Sequence, residues 1–326
     1  MVTRMRKRKS VCASGIGGQA VMEGVMMKNK DLYAVSVRKS DGEIETETEE
    51  YHGVLHGSPL TKIPFIRGIF MFADSLILGM RTLTYSAGFY EDENAKETMT
   101  DKAMNKIFGE KAEKVLMGFT VVISIILAIA IFILLPYYIS TLFNQYIRNT
   151  SLLALLEGGL RLVIFLAYIV LICAMKDIRR VYMYHGAEHK CINCIEHGHN
   201  LTVANVKKSS RLHRRCGTSF LLLVMVISVI LFIFIRVENP AARVALRIAL
   251  IPVIAGISYE IIKLAGRSDN IFVRIISAPG MLLQRLTTRE PDESMIEVAI
   301  ASVEAVFDWK DFLDENFKTD KKDDDE

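Results

Sequence analysis

The chain has 326 residues, 51% of them hydrophobic, five cysteines and a net charge of +3 at neutral pH. With a mean hydropathy of +0.28 it is too apolar for a disordered chain, and the small net charge by itself identifies no partner. An apolar-rich globular protein and a polytopic membrane protein both remain, and the distribution of charge decides between them.

Residues 1–12 form a basic arm. Met1 to Lys9 has no apolar core behind it, so it does not read as a signal peptide, and it reads as solvated rather than as a nucleic-acid contact. Residues 13–60 read as a small cytoplasmic β-unit. Leu32 to Arg38 and Ile44 to Thr48 alternate around the turn Ser40-Asp41-Gly42-Glu43, a hairpin signal. Ahead of them, Gly15 to Gly24 contains a Gly-x-Gly-x-x-Ala string. It lacks the preceding strand and the βαβ context of a dinucleotide site, so tight backbone packing or a turn is expected.

Residues 61–92 hold an amphipathic helix, Ile63 to Phe89, expected to lie in the membrane interface or to pack across a bundle rather than to span. Its charges Arg67, Asp74 and Arg81 recur every seven residues on one face. Asp92 to Lys114 is a charged linker, and residues 93–264 contain the expected four-span membrane domain. Val115 to Ile147 is a run of 33 uncharged residues, where ~20 suffice to cross a bilayer. Leu152 to Met175 is interrupted only by Glu157 and Arg161, an i,i+4 pair. Gly217 to Ile235 is uncharged, and Val244 to Leu264 is the weakest span.

The connection between the second and third spans, residues 176–216, carries nine Lys or Arg, while the one between the first and second carries only Arg148. The positive-inside rule then places this connection and both termini in the cytoplasm of a cell-membrane protein. In such a compartment the cysteines read as thiols or metal ligands, not disulfides. Residues 265–317 form a C-terminal cytoplasmic helical region. Ile271 to Leu286 is expected to break at Pro279-Gly280 and hug the membrane. A helix starting near Pro291 docks through Ile296, Ala299, Ile300, Val303, Val306 and Phe307. Residues 318–326 are an acidic tail expected to be disordered. The fold class is therefore a mostly α membrane protein with about four transmembrane helices, interfacial helices and a small N-terminal β-unit.

The chemistry concentrates in the 176–216 connection, at His185-Gly186-Ala187-Glu188-His189. On a helix, His185 and His189 lie one turn apart on one face and can reach one cation. His-x-x-Glu-His is also the order of inverted zinc peptidases, in which the Glu polarises the attacking water. Two sites can be drawn. One is a structural knuckle, Cys191-x-x-Cys194, then eighteen intervening residues, then His213-x-x-Cys216. The other is catalytic, with Zn²⁺ on His185 and His189, Glu188 as general base and Glu260 as the distal third ligand. A mixed site drawing on His213 is a further combination. Histidines 197 and 199 read as solvated, and His52 and His56 as surface residues that a folded-back β-unit could bring in.

The chain resembles the bacterial YqhQ family of membrane proteins. The resemblance rests on Gly17-Gly18-Gln19-Ala20-Val21-Met22-Glu23-Gly24-Val25-Met26-Met27, on His185-Gly186-Ala187-Glu188-His189-Lys190, and on Arg211-Leu212-His213 with Arg215-Cys216-Gly217-Thr218-Ser219-Phe220. It continues through Ser258-Tyr259-Glu260, Ala265-Gly266-Arg267 and Leu286-Thr287-Thr288-Arg289-Glu290-Pro291. It implies an integral membrane protein that is a candidate metal-dependent enzyme, and Cys191 is not a fixed part of its pattern. The expected function is a membrane-embedded, zinc-dependent hydrolase with ligands drawn from His185, His189, Glu260, His213 and Cys216. Its partners are the lipid bilayer and a protein or other amphiphilic substrate, with no nucleic acid; no oligomeric state is implied. The competing reading is a membrane scaffold or assembly factor with a structural metal or none. A transporter is disfavoured because no pair of spans looks like a repeat.

Overall fold

The computed structural model describes residues 11–90, 112–235, 237, 239–265 and 270–317. The basic arm up to position 10, most of the charged linker, Arg267 and the acidic tail lie outside the described residues. Four helical stretches are long and apolar enough to cross a membrane: Gly118–Thr141, Thr150–Cys173, Gly217–Phe234 and Pro240–Leu264. The protein is mostly helical, with one small antiparallel sheet near its N-terminus. It divides into two compact units, one of Met1–Tyr90, Leu171–Leu223 and Ala255–Glu326, the other of Glu91–Val170 and Val224–Ile254.

In the first unit, β1 (Gly17–Val21), β2 (Gly24–Asn29), β3 (Leu32–Arg38) and β4 (Ile44–Glu50) form a four-stranded meander. The glycine-rich string thus supplies β1 and the first residue of β2, two strands that the alternation pattern did not announce. β3 is buried along nearly its whole length because the sheet is covered on both sides. Tyr33, Val35 and Val37 pack with Leu78 of α1 (Ile66–Gly88), and Ala34 packs with a second cluster centred on α11 (Glu293–Val306). The stripe Ile296, Ala299, Val303 and Val306 on α11 is buried as its spacing predicts. Each buried Ile or Val of this stripe contributes about 1.5–3 kcal/mol, and Ser302 donates to the Ala34 carbonyl at 3.1 Å.

The charged face of α1 is turned toward protein. Arg67 pairs with Glu260, Asp74 accepts from Tyr51 Oη at 3.2 Å and from the Val54 amide at 2.8 Å, and Arg81 pairs with Glu49 at 2.5 Å. The heptad-spaced charges thus meet protein partners, which fits the packed placement of the two that the spacing allows. A second difference concerns α10 (Ile271–Thr287), which runs unbroken with Pro279 inside it. Gly280 lies against Ser219, and Gln284 donates to Ser219 Oγ at 2.8 Å, so tertiary contacts hold the helix together through the proline.

The second unit contains α2 (Ala112–Ile129), a π-helical turn (Ala130–Leu134), α3 (Leu135–Thr141), most of α4 (Thr150–Cys173), the later part of α7 (Gly217–Phe234), α8 (Pro240–Ala249) and the start of α9 (Ile251–Ala265). The π turn has an identifiable cause. Pro136 has no N–H to offer the carbonyl four residues earlier, Phe132. That carbonyl instead accepts from Arg161 Nε at 2.9 Å.

Candidate functional site

The His-rich segment is helix α5 (Lys176–Glu196), whose second half is buried although its composition is polar. At ~100° per residue, His185, Glu188 and His189 share one face, while Cys194 falls about 180° from His185. Cys191 and Cys194 accordingly sit in the apolar core with Met295 and Ala299. Burial pushes both thiols up, and the Cys194 thiol lies 3.5 Å from the Asn200 carbonyl. The four residues of the expected knuckle do not converge: among the described residues, neither cysteine joins a group of close ligand atoms.

Three further buried polar residues of α5 organise the segment that returns to the third span. Lys190, buried, donates to the carbonyls of Lys207 and Ser209, each at 2.9 Å. Asn193 donates to the carbonyls of Ser210 at 2.6 Å and Leu212 at 3.0 Å. Glu196 pairs with Arg215, lies 3.4 Å from His213 Nε2, and accepts from the Ser14 amide and hydroxyl at 2.8 Å each. Burial opposes ionisation of Glu196, but His213 and Arg215 hold its carboxyl at about 2. From α10, the buried Gln284 accepts from the His213 amide at 2.8 Å and donates to the His213 carbonyl at 2.7 Å. These contacts seat Cys216 over the two histidines.

His185 Nδ1 lies 2.9 Å from the Thr287 carbonyl, and His189 Nδ1 lies 2.7 Å from the Arg211 carbonyl. Each therefore donates Nδ1–H to backbone, and each Nε2 is left free for another partner. His185 Nε2 is 3.2 Å from Cys216 Sγ, and ligand atoms of His185, His189 and Cys216 all lie within 4.8 Å of one another. Ligand atoms around a tetrahedral zinc stand about 3.5 Å apart, given bond lengths of ~2.0–2.3 Å. Glu188 Oε2 is 3.9 Å from His185 Nε2. The charges are mutually supporting: against the cost of burial, both histidines hold the Cys216 thiol well below its ordinary range. Burial likewise opposes a charge on His185, yet Cys216 and Glu188 push it up to about 9.

Two glycines permit this packing. A Cβ on Gly186 would lie 2.0 Å from the Arg289 carbonyl, so only glycine lets α5 approach the strand-like segment that anchors His185. A Cβ on Gly18 would meet the Met26 carbonyl at 2.5 Å and Glu188 Cγ at 3.0 Å, so β1 lies directly on Glu188.

The other expected ligands are placed differently. Glu260 is not in the group: Arg67 Nε donates to it at 2.6 Å, and a second guanidinium nitrogen holds its other oxygen. It stands at the α1–α9 contact, where the cation it pairs with is Arg67 and not the Lys263 or Arg267 that its own neighbourhood in the sequence suggests. His213 neighbours His189 with ring centroids 5.7 Å apart, but its Nε2 faces Glu196. His197 and His199 are exposed. His52 and His56 are also exposed, and they stand beside Asp31, not beside the α5 site. The anchors Thr287, Arg211 and Gln284 were missed by sequence reasoning, because two of them act through backbone carbonyls. The signal for them was Gly186, a glycine inside a helix, which marks a close backbone approach.

The fold and site define a multi-pass membrane protein with a buried, helix-borne His–Glu–His cluster completed by a cysteine. The chain belongs to a recognised family: residues 63–309 match the family described as "Protein of unknown function (DUF1385)". It is 33% identical over 304 residues to the "Uncharacterized protein YqhQ" of Bacillus subtilis (strain 168), covering 93% of this chain and 95% of that protein. No solved structure matches the chain.

Proposed function

We propose that His185, His189 and Cys216 are the ligands of a single zinc ion in a membrane-embedded, metal-dependent hydrolase, with Glu188 as its general base. The observation that carries this reading is the backbone anchoring of both Nδ1 atoms, which leaves two Nε2 atoms and one sulfur to converge. Ligating histidines are held by such anchors in known metal sites, and a mixed nitrogen and thiolate set suits zinc. Three protein ligands leave a fourth position for water or substrate. When bound, zinc supplies a Lewis acid that lowers the pKa of that water. Glu188 is 4% exposed and unable to drift into solvent. With the metal bound, its carboxylate would be placed to take a proton from that water and return it to the leaving group. Cys216 immediately precedes a membrane span, so an amphiphilic substrate, whether lipid headgroup or membrane-bound peptide, reaches the site from the bilayer surface. The basic 176–216 connection supports a cytoplasmic orientation.

A structural metal is the second reading, favoured by the closure of the site: His189 is 1% and Cys216 6% exposed. One series of measurements separates the two. Metal analysis of the detergent-purified protein is expected to find one zinc per chain, lost in His185→Ala and Cys216→Ser and retained in Glu188→Gln, Cys191→Ser and Glu260→Gln. In cobalt-substituted protein, a hydroxamate should perturb the visible spectrum if the fourth position is open. An unperturbed spectrum selects the structural reading. Wild-type protein that neither carries nor takes up zinc or cobalt overturns both.

A further inference from the structure

A second group of metal-ligating side chains lies outside the α5 site. It joins Asp31, in the turn from β2 to β3, with His52 and His56, in the segment that leads from β4 toward α1. One ligand atom from each of the three falls within 4.8 Å of the other two. The two imidazole rings stand 4.4 Å apart between centroids, and Glu50 Oε2, at the end of β4, lies 3.5 Å from His52 Nε2.

The chain segments that carry these residues are fixed by contacts that use none of their side-chain donors. The Tyr51 amide donates to the Asp31 carbonyl at 2.7 Å, which ties the β2–β3 turn to the residue before His52. The His56 amide donates to the Gly53 carbonyl at 2.9 Å, and this tight turn folds His56 back beside His52. Asp74 of α1 clamps the turn by accepting from the Val54 amide and Tyr51 Oη. A Cβ on Gly53 would lie 2.3 Å from Asp74 Oδ2, so glycine permits the clamp to close. The side chains of Asp31, His52 and His56 are exposed and can rotate on this fixed frame. Donor atoms on a divalent ion at ~2.0–2.2 Å stand about 3–3.5 Å apart. Small rotations therefore close the group without moving the backbone.

The surrounding charge favours a cation. Asp31, Glu50 and Asp74 stand against Lys28 and the exposed Lys30, while Arg81 is taken by Glu49. Three carboxylates against two ammonium groups leave one negative charge in excess when the imidazoles are neutral. Lys28 is held 4.5 Å over the Tyr51 ring, where it acts on Asp31 and Asp74 together.

We propose that Asp31, His52 and His56 form a second metal site, for a borderline divalent transition ion of the zinc class, with a further position open to Glu50 or water. Two imidazoles disfavour magnesium and calcium, which take oxygen donors, and a set without thiolate does not suit copper(I). The ion would join the β2–β3 turn to the segment entering α1, and binding to the folded chain alone raises its stability. No ligand is shared with the α5 site, so the two readings stand or fall separately. The donors are open to solvent and exchange their ion with the buffer. The site is therefore read by binding at equilibrium, not by metal retained through purification.

The test is equilibrium dialysis of radiolabelled zinc against the full chain in detergent at neutral pH. One saturable zinc per chain is expected that His52→Ala and His56→Ala each remove and that His185→Ala leaves in place. Cobalt and nickel should displace it, and magnesium and calcium should not. Asp31→Asn should weaken it at least about 10-fold, since losing even an outer partner does so in known metal sites. The wild-type thermal midpoint should rise with zinc, and the rise should be absent in His56→Ala. Because all three side chains are exposed, the variants should keep the metal-free midpoint of the wild type. Zinc bound only at millimolar concentration, an adventitious ion, overturns the proposal. So does binding undiminished by any of the three substitutions, or binding that His185→Ala removes entirely.

Discussion

Gly186→Ala tests the geometry of the α5 site without touching a ligand. An alanine Cβ would stand 2.0 Å from the Arg289 carbonyl oxygen and 3.2 Å from its carbon. That carbonyl must retreat by at least about 1 Å to reach an ordinary contact. The retreat pulls on two bonds: the Arg289 amide to the Tyr182 carbonyl at 2.8 Å, and His185 Nδ1 to the Thr287 carbonyl at 2.9 Å. Overpacking costs about 1–3 kcal/mol, and the better helix preference of alanine returns up to about 1 kcal/mol. The net expectation is a loss of about 1–2 kcal/mol, a fall of several degrees in thermal midpoint. Weaker anchoring of His185 should lower cobalt affinity about 10–100-fold. The control is Gly88→Ala at the end of α1, where an added Cβ meets nothing within 4 Å; it should be neutral or slightly stabilising. Thermal unfolding and cobalt titration in detergent read both quantities. If Gly186→Ala matches Gly88→Ala in both, the close approach, and the anchoring argument with it, is wrong.

Glu260→Gln should lower the thermal midpoint by removing the charged half of the Arg67 pair, at about 1–3 kcal/mol, while metal content stays constant; loss of metal would return Glu260 to the site. Glu196 is depressed from 4.5 to about 2, so its stabilisation is present above pH 4.5 and lost as pH falls through about 2. This corresponds to at most about 3 kcal/mol, and Glu196→Gln should flatten that acid limb in pH-dependent unfolding. A cysteine placed at Asn144 should react with an impermeant thiol reagent from outside intact cells; labelling only after permeabilisation would reverse the proposed orientation.

The spans were legible because an uncharged run longer than a bilayer is a signal carried by composition alone, and the α11 stripe because its period is local. The histidine pair was legible for the same reason, since i,i+4 spacing needs only a helix. What failed was long-range pairing. Glu260 follows His189 by 71 residues and suits an inverted-peptidase ligand by spacing, but the partner it meets, Arg67, lies 193 residues away on a different helix. Cys-x-x-Cys reads as a metal knuckle in a loop and as core on a helix. Here the helix continues through it, turning both thiols toward α11. The break expected at Pro279 failed because Ser219, outside the helix, lies against Gly280 and accepts from Gln284 on the far side of the proline.

The same reasoning limits how a substrate could reach the α5 site. Glu188 is covered by β1 at Gly18, His189 is closed off by the Arg211 carbonyl, and Cys216 is seated by contacts from α5 and α10. His185, with 13% of its side chain exposed, is the most open member. Its own anchor is the carbonyl of Thr287, the last residue of α10, just before the turn that leads to α11. The Thr287 to Pro291 segment is therefore the wall that can move without dismantling the ligand set from the sheet side. A catalytic site must open there, whereas a structural one has no need to. Restraining this segment with a cross-link would abolish hydroxamate access to cobalt-loaded protein in the first case and change nothing in the second.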